Sequence, residues 1–242
     1  MVSSLLSHRI IPMVGLSSSI LLWVVILAIV AGLCGSGMSK VMLLLIRWKA
    51  GFKKNWMHIM YITVCALLVV FLATFVSSSM YGSGKELMTA SLFGTQKHVS
   101  WYIPLLRIAG PVFSFTTGAA GGVFAPSLSA GAMMGSAMSG WLHFGTANTN
   151  LLILAGMVAF LTGVTRTPFT SAILVLEMTD RHNVIFHLML AGLVANMVSL
   201  LIDKHSFYDH LKYQYVREIL HEENESAGLP LNEQEKIPDN IN

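Results

Sequence analysis

The sequence predicts an all-α, polytopic membrane protein of tilted and broken helices, and three observations carry that fold class. Only 11% of its 242 residues are charged and 54% are hydrophobic, with a mean hydropathy of +0.66, whereas ordinary soluble domains carry about 25% charged residues. Apolar runs at 17–46 and 56–76 exceed or match the roughly 20 residues that cross a bilayer. Later apolar pieces are shorter and separated by Gly/Pro/Ser breaks such as 82–84, 163–168 and 180–183, punctuation expected of half-helices rather than of an up-and-down bundle.

In order, the chain reads as an N-terminal segment (1–15), a membrane domain (16–220) and an acidic tail (221–242). Arg9 precedes apolar residues with no small-residue cleavage site, which does not support a signal peptide. The runs at 17–46 and 56–76 give two long helices. A third span, 103–117, extends back through Trp101 and Tyr102 and carries an unusual charge, Arg107. Shorter helices follow at 124–144, 151–164, 168–179 and 184–202, then an amphipathic segment at 206–220; several of these are too short to span alone. Small residues at helical spacing (Gly131/Gly135, Ala137/Gly140, Ala155/Ala159) predict close helix packing. Cys34 and Cys65 lie in apolar runs without metal-ligand or CxxC spacing and read as packed small hydrophobes.

Charge sets orientation. Lys plus Arg exceed Asp plus Glu by 15 − 12 = 3, but Glu218, Glu222, Glu223, Glu225, Glu233, Glu235 and Asp239 lie at the C-terminal end, so the tail reads as solvated and disordered. The remaining chain is basic. Arg47, Lys49, Lys53 and Lys54 crowd the first connection, and Lys204, Lys212 and Arg217 surround the last segment. The positive-inside rule places both, and the C-terminus, in the cytoplasm, with 77–100 facing outward. The expected location is the cell (inner) membrane, and no nucleic-acid partner is implied. Asn224-Glu225-Ser226 fits a glycosylation sequon by chance, since it falls in the cytoplasmic tail.

The most informative stretch runs from Gly118 to Leu128. A helix start leaves backbone N–H groups without intrahelical partners and carries roughly half a positive charge. Gly121 and Gly122 let the backbone bend and approach a ligand, and Pro126 suits a first helical turn, where no N–H is required. Together they describe an anion-binding helix start. At membrane depth such irregular backbone survives only when buried in protein or lining a polar cavity.

Gly121-Gly122-Val123-Phe124-Ala125-Pro126 matches the G-x-F-x-P signature of the CLC family of chloride channels and chloride/proton exchangers. Ala155-Gly156-Met157, Thr162 to Pro168 and Leu174 to Asp180 resemble the paired helices that follow it there, and Ser206-Phe207-Tyr208 resembles the tyrosine heading the family's last membrane helix. The resemblance covers 16–220 and implies one half, the second inverted repeat, of a CLC-type fold. It also implies chloride transport, as a voltage-gated channel or a chloride/proton antiporter, with no enzymatic activity and no cofactor. The anion would be held by the Val123 and Phe124 N–H groups and the Tyr208 hydroxyl, with Gly121, Gly122 and Pro126 shaping the loop. Neutral dipoles replace part of a halide's hydration shell without trapping the ion.

The family's first-half motifs, Gly-Ser-Gly-Ile-Pro and Gly-Lys/Arg-Glu-Gly-Pro, are absent. Gly35-Ser36-Gly37 is followed by Met38-Ser39, and Gly82-Ser83-Gly84-Lys85-Glu86 by Leu87-Met88, so both are imitations and Glu86 is not expected to gate. The acids that separate channel from exchanger belong to that half. Expected partners are chloride, the lipid bilayer, and a second copy of the chain or the missing N-terminal half. The alternative is a truncated or accessory subunit without transport of its own; a weaker one is an intramembrane enzyme using Glu177 and a histidine. Glu177 in its apolar run should be neutral or paired with Arg166 or Arg107 in a buried structural contact. His182/His187 and His205/His210 miss the i, i+4 spacing that puts two ligands on one helix face, so no metal site is expected.

Overall fold

The computed structural model describes residues 18–52, 54–77, 82–94, 97–118, 121–180 and 182–226; the segment 1–15 and most of the predicted tail lie outside them. Among the described residues the fold is entirely helical: α1 (Ser18–Ala50), α2 (Asn55–Phe75), α3 (Lys85–Phe93), α4 (Tyr102–Thr116), α5 (Phe124–Trp141), α6 (Thr146–Thr165), α7 (Pro168–Thr179), α8 (Ile185–Ile202) and α9 (Phe207–Ser226). A short 3-10 turn, His182–Val184, leads into α8.

Helix α6 is the hub. Its residues from Thr149 to Val164 are all buried, as expected of a helix that is apolar all round and enclosed by neighbours. Helices α1, α5 and α8 pack directly on it, and α7 lies against α6 and α8. Missing side chains make this possible. A Cβ on Gly131 or Gly135 of α5 would run into backbone carbonyls of α6, at Gly156 and Leu152, and a Cβ on Gly35 of α1 would run into the Phe160 carbonyl. Small residues let backbones approach closely where lipid supplies no hydrophobic drive for association. Hydroxyls add to the crossings: Ser36 Oγ donates to the Gly163 carbonyl at 3.2 Å and Ser199 Oγ to the Gly32 carbonyl at 3.2 Å. Gly35-Ser36-Gly37 is thus a helix-crossing contact inside α1.

Among the described residues, four helices are long and apolar enough to cross a membrane: Ser19–Ala50, Asn55–Phe75, Thr146–Thr165 and Ile185–Ile202. This changes the expected set. The third predicted span becomes α4, only 15 residues, about 22 Å at 1.5 Å per residue and short of a core about 30 Å thick. The piece at 151–164 grows into α6, because Thr146 to Asn150 continue the helix despite being largely polar. Helix α9 continues past position 220, to Ser226. Glutamates are good helix formers, so an acidic composition alone does not end a helix.

Helix ends explain the remaining breaks. Arg166 and Asp180 take the left-handed conformation (φ 62° and 50°) at the ends of α6 and α7, and Pro168 occupies the first turn of α7. Cys34 is half-buried, Cys65 buried, and both are free.

Candidate anion site at a broken helix

Helix α4 ends at Thr116, Gly118 turns the chain at φ +89°, and α5 begins at Phe124 after the break. Val123 is the N-cap residue, 3% exposed, and no side chain among the described residues caps this end. The first intrahelical bond runs from the Ser127 N–H to the Val123 carbonyl at 3.0 Å, reinforced by Ser127 Oγ at 2.7 Å. Pro126 has no N–H, so the positive end of α5 is presented by the N–H groups around Val123 and Phe124. A Cβ on Gly122 would meet nothing within 4 Å; the backbone is open there. Phe124 is half-buried against the core.

On the other side of the break, the end of α4 meets a basic and a hydroxylic side chain. Lys49 Nζ donates to the Thr117 carbonyl at 2.5 Å, and Tyr61 donates its phenolic hydrogen to Thr116 Oγ1 at 2.9 Å. Tyr208, the second residue of α9, is 46% exposed. Its ring lies 5.7 Å from that of Phe207, which is buried and 5.5 Å from Phe115 in the last turn of α4. The head of α9 is thereby tied to the strand of chain that enters the break. The Tyr208 hydroxyl makes no hydrogen bond among the described residues. A capping arrangement fixes α9: the Ser206 N–H and Oγ both reach Asp209 Oδ2 (3.0 and 2.7 Å), and the Asp209 N–H returns to Ser206 Oγ at 3.1 Å.

The expected buried pair of Glu177 with Arg166 or Arg107 does not form. Glu177 is exposed in the last turn of α7, at a helix end rather than at mid-span. Arg166 turns back on the C-terminal end of α6, donating from Nη1 to Ser36 Oγ and the Gly163 carbonyl, both at 2.9 Å. Carbonyls at a helix C-terminus attract a cation without any carboxylate. Arg107 is 3% exposed and donates to the Gly82 carbonyl at 2.9 Å. Gly82-Ser83-Gly84 forms the turn before α3, with Gly84 as its N-cap residue, and Glu86 is exposed on that helix.

Two groupings escaped the sequence reading. Arg107, Ser129 and Gly84 meet in the interior, where Arg107 Nε and Ser129 Oγ are buried and without partners among the described residues. Asp203, His205 and His210 converge between α8 and α9. The spacing rule for histidine pairs assumes one helix, whereas His205 stands in the turn before α9 and His210 within it, so no helical periodicity could signal them.

An all-helical, multi-pass membrane protein with a core built on glycine contacts and an uncapped internal helix start is the class that fold and site define. The chain belongs to the voltage gated chloride channel family, whose family model matches residues 1–200. Over 102 residues it is 35% identical to the H(+)/Cl(-) exchange transporter ClcA of Cronobacter sakazakii (strain ATCC BAA-894), covering 40% of this chain and 22% of that protein. The fold is similar to that of a CLC-type fluoride/proton antiporter (TM-score 0.68, 19% identity, 86% of this chain, 51% of that one). It is similar also to a slow cyanobacterial Cl-/H+ antiporter (TM-score 0.68, 20% identity, 78% and 48%). The chain spans about half the length of these structures.

Proposed function

We propose that this chain supplies half of an anion pathway, holding chloride between the N-terminal end of α5 and the head of α9. The observation that carries this reading is the α5 start: a buried N-cap at Val123, no capping side chain and an open backbone at Gly122, with Lys49 beside Gly118 where the break begins. Backbone N–H groups of Val123 and Phe124 would coordinate the ion. Tyr208 would add one neutral hydroxyl, and Gly121, Gly122 and Pro126 keep the approach free of side chains and of a competing N–H. No fixed charge sits in that ligand set, so the ion is stabilised yet can leave. Family membership and the chloride-transporting relative support the substrate; half-length coverage supports the need for a second half, supplied by an N-terminal CLC-type polypeptide. The basic end of α1 and the basic residues around α9, Lys204, Lys212 and Arg217, support a cytoplasmic face there, and a homodimer of the completed unit fits the reading.

Chloride efflux from liposomes tests it. Flux is expected when the chain is reconstituted with a first-half polypeptide carrying the Gly-Ser-Gly-Ile-Pro and Gly-Lys/Arg-Glu-Gly-Pro motifs, and is not expected from the chain alone. Tyr208→Ala should slow or redirect the flux about two- to tenfold, the rate equivalent of one neutral hydrogen bond of about 0.5–1.5 kcal/mol. Strong flux from the purified chain alone overturns the half-site. Absence of flux in the reconstituted pair favours a non-transporting accessory subunit.

A further inference from the structure

We propose that Asp203, His205 and His210 bind one divalent transition-metal ion of the zinc type at the junction where α8 hands over to α9. One ligand atom from each of the three residues lies within 4.8 Å of the others, and all three are partly buried. His210 Nε2 already stands 3.1 Å from Asp203 Oδ2, and the His205 and His210 rings face each other edge-on, 5.7 Å between centroids. Tetrahedral zinc with bonds of about 2.0–2.2 Å places neighbouring donor atoms about 3.3 Å apart. One pair is near that spacing, and the widest needs to contract by about 1.5 Å, within reach of side-chain rotation. Two imidazoles and one carboxylate suit zinc and its late first-row neighbours rather than magnesium or calcium, which take mostly oxygen. Three protein ligands leave a fourth position for water.

The scaffold around the donors is set in advance. The His205 N–H donates to Asp203 Oδ1 at 3.0 Å, which orients the carboxylate and leaves Oδ2 for the ion, the outer-shell support that metal ligands require. Ser206 and Asp209 lock the first turn of α9 between the two histidines. Lys40 and Arg166 line the same small cavity with Ser36 and Ser39. They favour the ionised carboxylate, which a ligand must be, and they repel a dication, so the affinity expected is micromolar rather than nanomolar. His205 and His210 flank Tyr208 in sequence, so a bound ion would pin the head of α9; that consequence rests on the reading of Tyr208 as an anion ligand, whereas the metal site itself does not.

The test is calorimetric titration of ZnCl2 into the untagged, EDTA-stripped full chain in detergent. One ion per chain is expected. His205→Ala and His210→Ala should each weaken binding at least about tenfold, while His98→Ala, an exposed histidine elsewhere, and Tyr208→Phe leave it unchanged. Tyr208→Phe separates the two readings, because it alters flux without altering zinc affinity. No binding by the wild-type chain, or equal binding by the His205→Ala/His210→Ala double variant, overturns the site. Should either variant fail to fold, Co2+ added to the wild-type chain decides: an intense tetrahedral visible band is expected, and a spectrum like aqueous Co2+ overturns the proposal.

Discussion

Gly84 shows how much a single position constrains the interior beside the α5 helix. It sits at φ +83° as the N-cap residue of α3, and a Cβ there would fall onto the Ser129 side chain and within 2.8 Å of Arg107 Nη2. Gly82, two residues earlier, has φ +66° but open space around it. Alanine at either position meets left-handed strain of roughly 1–2 kcal/mol; only Gly84→Ala adds overpacking of about 1–3 kcal/mol. Gly84→Ala should therefore lower the thermal midpoint in detergent by several degrees more than Gly82→Ala, and equal losses would show that the Ser129 and Arg107 contact exerts no constraint. Arg107 itself was legible in the sequence as a charge out of place, because ionised groups are rare within apolar spans. Its partner was not, since a backbone carbonyl 25 residues away leaves no mark in composition. Glu177 misled for the opposite reason: an acid within an apolar run signals a cost, but not which face or which end of the helix bears it.

Helix α9 illustrates what an element's ends reveal. It starts at Phe207, directly after Ser206, and Ser206-x-x-Asp209 closes as a capping arrangement over its first turn. Ser206→Ala should destabilise this helix by about 1 kcal/mol at neutral pH, the usual cost of a lost N-cap. The Ser206 hydroxyl and N–H hold the Asp209 carboxyl below its ordinary range. Burial alone would raise Asp203, but the His205 N–H, His210 and Lys40 outweigh it and hold that carboxyl low as well. A depressed carboxylate lends stability that is complete above its unfolded pKa, about 3.9, and lost as pH falls through the lower folded value. The thermal midpoint in EDTA should fall as pH drops below about 4, with a shallower fall there in Ser206→Ala; an identical acid profile in the variant would sink this account. The breaks at Gly118–Pro126 and Thr167-Pro168 were readable, because Gly and Pro act locally. Lengths were not: α6 outgrows its apolar run because polar Thr and Asn can extend a helix whose neighbours bury it.

At the scale of the whole molecule, the structure is organised around α6, yet its outer helices are not enclosed. Helix α2 buries only Cys65 and Ala73, while Trp56, Leu67, Phe71 and Phe75 on it, and Phe186, Met197 and Leu201 on α8, are exposed. Lipid can cover such surfaces, but it cannot satisfy polar atoms. Arg107 Nε, Ser129 Oγ and both ring nitrogens of His187 are buried without partners among the described residues, and each such group in a membrane interior is destabilising until something hydrogen-bonds to it. Family, fold and the glycine break were legible because they rest on order and local chemistry; the unpartnered polar atoms were not, because they depend on which helices meet in the interior. A first-half polypeptide that binds only the folded chain should stabilise it by mass action, about 2.7 kcal/mol at a hundredfold excess over its dissociation constant. Co-expression of that half should thus yield a co-purifying pair with a thermal midpoint several degrees above that of the chain alone. If the midpoint is the same with and without the partner, the outer faces are complete against lipid and the half-molecule stands as an independent unit.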